Sequence, residues 1–292
     1  MSILRNLNKK ILHKYIYEDW NIGIADQDDE LEVRNVRWMK HSYKDRWFAD
    51  PFLFEENERT YIILAEECRH GCKGRLVRLT VDKKNFQLVE NEVILDLSTH
   101  LSFPNILEVE GTRYIYPENS TAGNTKYYNY GSALKLAGTL SDVGLADPVI
   151  VPHNDDFYLL ATLPEQCNGN ILTVFKSKDP LGNYKIIQEI KFSDNIARRA
   201  GNVFEYKGEL ISPAQVCNSA YGEGVSLQKL TFNTNGINLR EIKRMMPPTR
   251  EYPEGFHTFN VFRDSQNNPK VIIDGYRFGS PWLHNLYFKL RR

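Results

Sequence analysis

Short apolar runs that begin at a polar, proline or glycine residue recur along the chain. The clearest copy is the stretch RWFADPFLF at residues 46–54. In each copy an apolar run is followed by a turn with acidic, glycine or asparagine residues and then, in most copies, by a second apolar run. Four further copies occupy residues 101–107, 145–151, 199–204 and 257–262. This pattern predicts a β-hairpin, repeated five times.

The distance between copies indicates the architecture. Taken at Asp50, Phe103, Asp147, Gly201 and Phe259, the copies lie 53, 44, 54 and 58 residues apart. Spacings of roughly 40–50 residues are typical of the four-stranded blades of β-propellers. The sequence therefore predicts an all-β, five-bladed β-propeller, preceded by a short N-terminal helix. Within blade 2, the polar and aromatic residues 119–130 are predicted to form a loop.

The first residues of the chain differ from the repeat. Apolar residues at helical spacing in residues 1–17 alternate with the basic residues Arg5, Lys9, Lys10 and Lys14. This predicts a basic amphipathic helix, which would bind an anionic membrane surface or a partner protein, or pack over the propeller rim. Residues 18–24 are predicted to close the ring as a strand of the last blade, so residues 18–292 form a single propeller domain.

Composition and charge exclude several classes of function. The chain has 292 residues and a formal net charge of zero, so no basic field favours nucleic acid. No apolar run reaches the roughly 18 residues of a membrane span. The dinucleotide fingerprint, the P-loop and the nucleophile elbow are missing from the sequence, so no nicotinamide or flavin cofactor is expected.

The four cysteines predict reduced thiols and a cytoplasmic location, at the inner face of the membrane if residues 1–17 bind it. Cys68 and Cys72 flank His70, but no second pair of ligands has the spacing of a metal site. The prediction is therefore that no residue serves as a metal ligand, and whether a cation fills the propeller channel stays open.

The innermost strands of a propeller line one channel, so the starts of the five copies should converge on one mouth. The residues delivered there are Asp50, His100, Asp147, Arg199 and His257. Second strands would add Glu66, Glu118 and Gln215. A group of carboxylates, imidazoles and an arginine is costly to remove from water, which favours a functional site.

Asp50-Pro51 and Asp147-Pro148, in the first and third copies, resemble the five-bladed propellers of glycoside hydrolase family 43. The resemblance implies that Asp50 is a general base and that Asp147 orients a glutamic acid and tunes its pKa. That acid usually lies in a Glu-Gly-Pro segment of blade 4, where this chain has Ala200. A two-carboxylate glycosidase needs such an acid, so another group would have to replace it, and Glu118 and Glu66 are the candidates.

A second resemblance covers most of the chain. It rests on residues 47–52, 100–104, 116–119, 199–201, 213–217, 221–222 and 257–258. These segments are similar to the N-terminal propeller domain of glucosamine inositolphosphorylceramide transferases. The resemblance implies a propeller fold and a role in surface polysaccharide or glycolipid synthesis. In the plant members a separate glycosyltransferase domain follows the propeller.

The sequence thus predicts a carbohydrate-active propeller that transfers a glycosyl group and binds a carbohydrate or nucleotide sugar. The expected catalytic residues are Asp50, Asp147 and Glu118. The expected substrate-binding residues are Glu66, His100, Arg199, Gln215, Tyr221 and His257. The alternatives are a family-43-like hydrolase and a non-catalytic glycan-binding module or scaffold. At single residues, Asp-Pro could mark a strand start, the histidines could be core residues, and Arg199 could pair with Asp147.

Overall fold

The computed structural model describes residues 17–69, 71–131, 133–234 and 236–279. These residues form twenty β-strands in five four-stranded antiparallel sheets. The two short 3-10 helices among them are Ser120–Ala122 and Pro164–Gln166. The prediction of a five-bladed, all-β propeller is confirmed. The helix predicted for residues 1–17 falls outside the described residues, apart from Tyr17, and so does His70 between the two cysteines.

Each blade is one sheet, and its strands follow one another along the chain except in the fifth. The fifth blade contains β1 (Glu18–Gln27), β2 (Val33–Trp38), β19 (Phe259–Arg263) and β20 (Pro269–Phe278). Blade 1 contains β3 (Arg46–Glu56), β4 (Thr60–Arg69), β5 (Gly74–Asp82) and β6 (Leu88–Leu95). Blade 2 contains β7 (Ser102–Val109), β8 (Thr112–Glu118), β9 (Thr125–Asn129) and β10 (Lys135–Ser141).

Blades 3 and 4 complete the ring. Blade 3 contains β11 (Ala146–His153), β12 (Asp156–Thr162), β13 (Ile171–Ser177) and β14 (Lys185–Lys191). Blade 4 contains β15 (Phe204–Tyr206), β16 (Glu209–Val216), β17 (Gly224–Asn233) and β18 (Gly236–Met245). None of the described residues forms a helix long and apolar enough to cross a membrane.

The ring is closed by pairing between the two ends of the chain. Strand β1 pairs along its length with β20, with Ile22 opposite Asp274. The closing role predicted for residues 18–24 is confirmed, and β2 adds an outer strand that the sequence pattern did not indicate. Closure pairs backbone groups that would otherwise form a free sheet edge.

The first three repeat anchors are bulged residues with an unusual backbone. Asp50, Phe103 and Asp147 have φ angles of 51°, 45° and 45°, and each precedes a proline. At each of them the pairing of the innermost strand with the next strand shifts register. A bulge redirects a side chain out of the regular alternation of the strand. For a residue other than glycine, such a backbone conformation costs about 1–3 kcal/mol. Contacts with the surrounding structure must therefore hold it in place.

Hydrogen bonds between neighbouring blades fix these bulges. The Nδ2 group of Asn105 donates to the carbonyl of Pro148 at 3.2 Å, from blade 2 to blade 3. Asn260 repeats the contact from blade 5 to blade 1, donating to the carbonyl of Pro51 at 3.0 Å. These asparagines are buried, and they hold the innermost strands at a fixed distance around the channel.

The hydrophobic core lies between the faces of adjacent blades. One cluster joins blade 5 to blade 1 through Ile22, Phe48 and Ile272. Another joins blades 1 and 2 through Phe52 and Phe103, whose rings meet edge to face at 4.9 Å. Since each sheet is covered on both faces by its neighbours, the apolar runs of the repeat are nearly continuous rather than alternating.

One local prediction was wrong. Residues 119–130 were expected to form a polar loop, but Thr125–Asn129 is the third strand of blade 2. Its tyrosines favour a strand, and its polar residues reflect a strand that is only partly covered.

Candidate functional site

The predicted site residues converge on one end of the channel, where the bulges lie. Asp50 and Asp147 come from the innermost strands, while Glu66, Glu118 and Gln215 come from the ends of second strands. All five side chains are buried. The charges of the four carboxyl groups interact with one another, with Arg198 or with His257. These five predicted residues therefore lie together at one end of the channel.

Arg198 connects the carboxylates of blades 2 and 3. Its Nε donates to Asp147 Oδ2 at 2.6 Å, and its Nη2 donates to Glu118 Oε2 at 2.7 Å. Its Nη1 donates to Asn168 Oδ1 at 3.0 Å, and its guanidinium lies 5.4 Å from the ring centre of Tyr221. Its charge is therefore matched by two carboxyl groups within the protein.

Asp147 and Glu118 titrate as a pair. Burial, reinforced by Glu118, raises the pKa of Asp147 well above its ordinary value. Burial acts in the same direction on Glu118, but Arg198, Asp147 and Ser120 together hold the pKa of Glu118 below its ordinary value. The two pKa shifts have opposite directions, so Asp147 takes up a proton more readily than Glu118 does. Gln215 Nε2 donates to Asp147 Oδ2 at 2.6 Å and fixes its orientation.

Asp50 lies in a second group, with His257 and Asp274. Its Oδ1 accepts a hydrogen bond from Thr258 Oγ1 at 2.8 Å, and its Oδ2 accepts one from the Phe103 N–H at 3.1 Å. His257 Nε2 lies 3.6 Å from Asp50 Oδ1, and its Nδ1 lies 2.7 Å from Asp274 Oδ2. The imidazole therefore lies between two carboxylates.

This second group can hold either a proton or a metal ion. Asp50, His257 and Asp274 bring one ligand atom each within 4.8 Å of one another. Burial lowers the pKa of His257, but Asp274 and Asp50 outweigh it, so the pKa is raised. The raised pKa favours the imidazolium, whereas a metal ion needs a neutral imidazole with a free lone pair. A metal ion bound here would therefore have to displace a proton from His257.

Glu66 differs from the other carboxyl groups of the site. It is 4% exposed, and its Oε1 accepts no hydrogen bond from the described residues. Burial, followed by the charges of Asp50 and Glu118, raises its pKa well above the ordinary value. The next residue, Glu67, points to the other face of β4 and pairs with Arg75 and Arg46. Glu66 therefore lies among the carboxylates without a hydrogen bond to its Oε1.

His100 lies at the rim beside Glu66. Its side chain is 44% exposed, and its Nε2 lies 3.3 Å from Glu66 Oε1. The Gly74 N–H donates to its Nδ1 at 3.0 Å, so the proton of the neutral ring is on Nε2 and faces Glu66. Burial of the ring lowers the pKa of His100, which favours this neutral form.

Aromatic side chains form one wall of the mouth. The ring centres of Tyr221 and His257 are 5.2 Å apart, and Tyr221 is 41% exposed. Trp20, from β1, lies 4.3 Å from His257 and 6.5 Å from Trp47. Aromatic faces beside buried carboxylates provide a surface on which the apolar face of a sugar ring can stack.

Arg199 is not part of this site, which corrects its predicted substrate-binding role. Its guanidinium is fully buried and donates to the carbonyls of Ile196 and Ala197 and to Ser212 Oγ. Its contacts are with the protein interior, and its neighbour Arg198 is the arginine at the mouth. Adjacent residues in an extended chain point to opposite faces, so a shift of one position exchanges the two roles.

Sequence reasoning missed Arg198, Asp274 and Trp20. The Arg198-Arg199 pair showed that an arginine would lie here, but not which of the two faces the channel. Asp274 lies in the second strand of blade 5, at the position where Glu66 and Gln215 lie in theirs, so a comparison of second strands could have found it. Trp20 could be placed only once β1 was known to pair with β20.

These features define a five-bladed propeller with buried carboxylates at one mouth, and solved structures share that fold. A thermostable family-43 glycoside hydrolase superposes with a TM-score of 0.55 at 12% identity, covering 80% of this chain and 89% of that one. Zg3597, a family 117 glycoside hydrolase from Zobellia galactanivorans, gives 0.52 at 11% identity, covering 90% and 91%.

The sequence places the chain in a particular family. The family model described as "Glucosamine inositolphosphorylceramide transferase 1, N-terminal" matches residues 33–270, and the chain belongs to this family. Glucosamine inositolphosphorylceramide transferase 1 from Arabidopsis thaliana is 26% identical in an alignment of 246 residues, and the match covers 72% of this chain and 32% of the relative. The chain thus spans about a third of the length of that relative.

Proposed function

We propose that this propeller is a carbohydrate-active enzyme that transfers a glycosyl group to an acceptor hydroxyl at the channel mouth. The observation that carries the proposal is the placement of Asp50 and Asp147. They come from equivalent bulges in blades 1 and 3 and lie in one buried cluster. The family is named after a glycosyltransferase, and family-43 hydrolases share the fold, which supports a sugar as the ligand.

Asp50 has the properties of the base that takes a proton from the acceptor. Each of its oxygens accepts one hydrogen bond from the protein, and a second lone pair remains on each. Burial raises its pKa, which brings the carboxylate closer to the pH at which a base works best. The nearby His257, whose own pKa is raised, opposes this shift and favours the ionised form of Asp50.

Asp147, Arg198 and Glu118 would hold the sugar rather than react with it. Their side chains form one network of hydrogen bonds, and Gln215 extends it to β16. Such a network presents fixed donors and acceptors to the hydroxyl groups of a sugar. The ring of Tyr221 next to it would stack on the sugar, as the sequence also predicted.

The charges of the site favour a neutral glycosyl donor. Among the described residues, the carboxyl groups of the cluster outnumber its two cations, Arg198 and His257, and both cations are already paired. A diphosphate would meet no free positive charge here. The nucleotide-sugar ligand suggested by Arg199 loses its support, because that residue points away from the mouth.

A non-catalytic glycan-binding module is the second candidate, and Ala200 favours it. Ala200 occupies the blade 4 position of the family-43 acid, is fully buried and carries no proton to donate. If no other group supplies the proton, the same mouth would bind a glycan without turning it over.

The first experiment compares the wild type with Asp50→Asn in a thermal-shift screen of free glycans, methyl glycosides and nucleotide sugars. A ligand at 100 times its dissociation constant stabilises by about 2.7 kcal/mol, which raises the melting temperature by several degrees. We expect shifts with a neutral glycan, and transfer products that Asp50→Asn reduces by about 10²–10⁴-fold.

The control is Asp142→Asn, which changes an exposed carboxylate. It should behave like the wild type in both assays. Binding of a glycan by the wild type without any product would favour the binding module. Shifts with nucleotide sugars alone would contradict the neutral donor.

A further inference from the structure

We propose that Glu66 donates the proton to the departing group, in place of the acid that blade 4 lacks. The inference deepens the proposed function and rests on it, because it assigns the missing half of an acid–base pair. It is argued from the position of Glu66, its hydrogen bonding and the space around it.

Glu66 is placed beside the base. It pairs with Ala49 in the β3–β4 ladder, one residue before the bulge that carries Asp50. Its carboxyl group also interacts electrostatically with Glu118 and with Arg198. The side chain therefore belongs to the same cluster as the base, but comes from a different strand. A donor and a base on separate strands can act on two sides of a bound sugar.

The hydrogen bonding of Glu66 leaves its proton available. Among the carboxyl groups of the described site, Glu66 alone has a buried oxygen without a hydrogen-bond partner. Asp147 is held by Arg198 and Gln215, and Glu118 is held by Arg198 and Ser120. A carboxyl group that is buried without a partner stays neutral, because the charged form would be poorly solvated.

The chain keeps space for this carboxyl group. A Cβ atom added at Gly74 would lie 2.2 Å from Glu66 Oε1, 2.6 Å from the Leu101 carbonyl oxygen and 2.8 Å from His100 Cε1. Any larger residue there would displace both side chains. The same glycine donates its N–H to His100 Nδ1, which turns the Nε2–H towards Glu66. That N–H can stabilise the carboxylate that remains after the proton has left.

The step balances in protons and electrons. The bond between the anomeric carbon and the departing oxygen breaks, and its electron pair goes to that oxygen, which takes the proton of Glu66. The acceptor oxygen forms the new bond to the anomeric carbon and loses its proton to Asp50. The site therefore holds the same number of protons before and after transfer, and one proton returns from Asp50 to Glu66 through water.

The test uses Glu66→Gln and two kinds of donor. Methyl glycosides need a proton on the departing oxygen, whereas dinitrophenyl glycosides release a stable phenolate without one. We expect Glu66→Gln to slow transfer from methyl glycosides by about 10²–10⁴-fold and to leave transfer from dinitrophenyl glycosides nearly unchanged. Asp50→Asn should slow both. Glu90→Gln, at an exposed position of β6, is the matched control.

Equal losses with both donors would overturn the proposal, since they would mean that Glu66 only shapes the site. A second measurement is independent of turnover. In the wild type at pH 7 the infrared spectrum should contain a carbonyl band of a neutral carboxylic acid that is lost in Glu66→Gln, while any band from Asp147 remains in both proteins. The presence of the Glu66 band in a protein that forms no product would contradict the proposed function but keep the neutral Glu66. Its absence from the wild type would contradict the assignment of Glu66.

Discussion

At the scale of single residues, the two neighbouring arginines have opposite roles. Arg198 reaches the mouth and neutralises Asp147 and Glu118, while Arg199 ties backbone carbonyls together inside blade 4. Both are buried, so burial alone does not distinguish them. Their hydrogen-bond partners distinguish them. Arg198 contacts carboxylates of other blades, whereas Arg199 contacts acceptors of its own blade.

We therefore expect different effects from the same substitution at the two positions. Arg199→Lys should lower the free energy of unfolding by about 1–3 kcal/mol, because buried acceptors lose their donor, while glycan affinity below the melting temperature stays unchanged. Arg198→Lys should weaken glycan binding, because one ammonium cannot bridge Asp147 and Glu118 as the planar guanidinium does. Denaturant unfolding and glycan titration measure the two effects. Weakened binding in Arg199→Lys would contradict this division.

At the scale of strands, the bulges explain what the sequence could and could not predict. The Asp-Pro and Phe-Pro pairs marked the innermost strands of blades 1 to 3 correctly, because proline has no N–H for a strand ladder and is confined to strand starts, sheet edges and bulges. Blade 4 has no proline at the equivalent position. The predicted position of its mouth arginine was therefore one residue too late, at Arg199 instead of Arg198. The outer strand β2 was missed, since its sequence VRNVRW is half exposed and lacks a clear apolar run.

The blade 4 equivalent of these bulges is Gly201, which brings blades 4 and 5 into close contact. A Cβ atom there would lie 2.2 Å from the Phe259 carbonyl oxygen, and the Phe259 N–H donates to the carbonyl of Ala200 at 2.7 Å. Glycine is therefore required by the approach of two backbones. The position is the counterpart of Asp50, Phe103 and Asp147 in blades where a side chain fits.

We expect Gly201→Ala to destabilise the protein much more than Gly208→Ala. Gly208 also has a positive φ, of 78°, but nothing lies within 4 Å of an added Cβ. Its substitution should cost only the backbone strain, about 1–2 kcal/mol. Gly201→Ala should cost that strain and also separate two blades. Melting temperatures of the two variants make the comparison, and equal values would show that the blades move apart easily.

At the scale of the whole molecule, closing the ring also completes the site. Trp20 lies on β1 and Asp274 on β20, two strands that meet only when the ends of the ring pair. His257, which contacts both side chains, is thereby held between the first and last parts of the propeller. The repeat predicted the ring, but this assembly of the site depends on contacts between residues about 250 positions apart, which no local pattern contains.

The last prediction follows from this coupling. Ile22 is fully buried between blades 5 and 1, so Ile22→Ala should lower the free energy of unfolding by about 2–5 kcal/mol. Ile187→Ala, at a position 39% exposed in blade 3, should change it by less than about 0.5 kcal/mol. If closure holds all five blades and the site together, circular dichroism and tryptophan fluorescence should report one shared denaturant midpoint in every variant. An earlier fluorescence transition in Ile22→Ala would show instead that blade 5 opens alone, and that the mouth can be lost while the remaining blades stay folded.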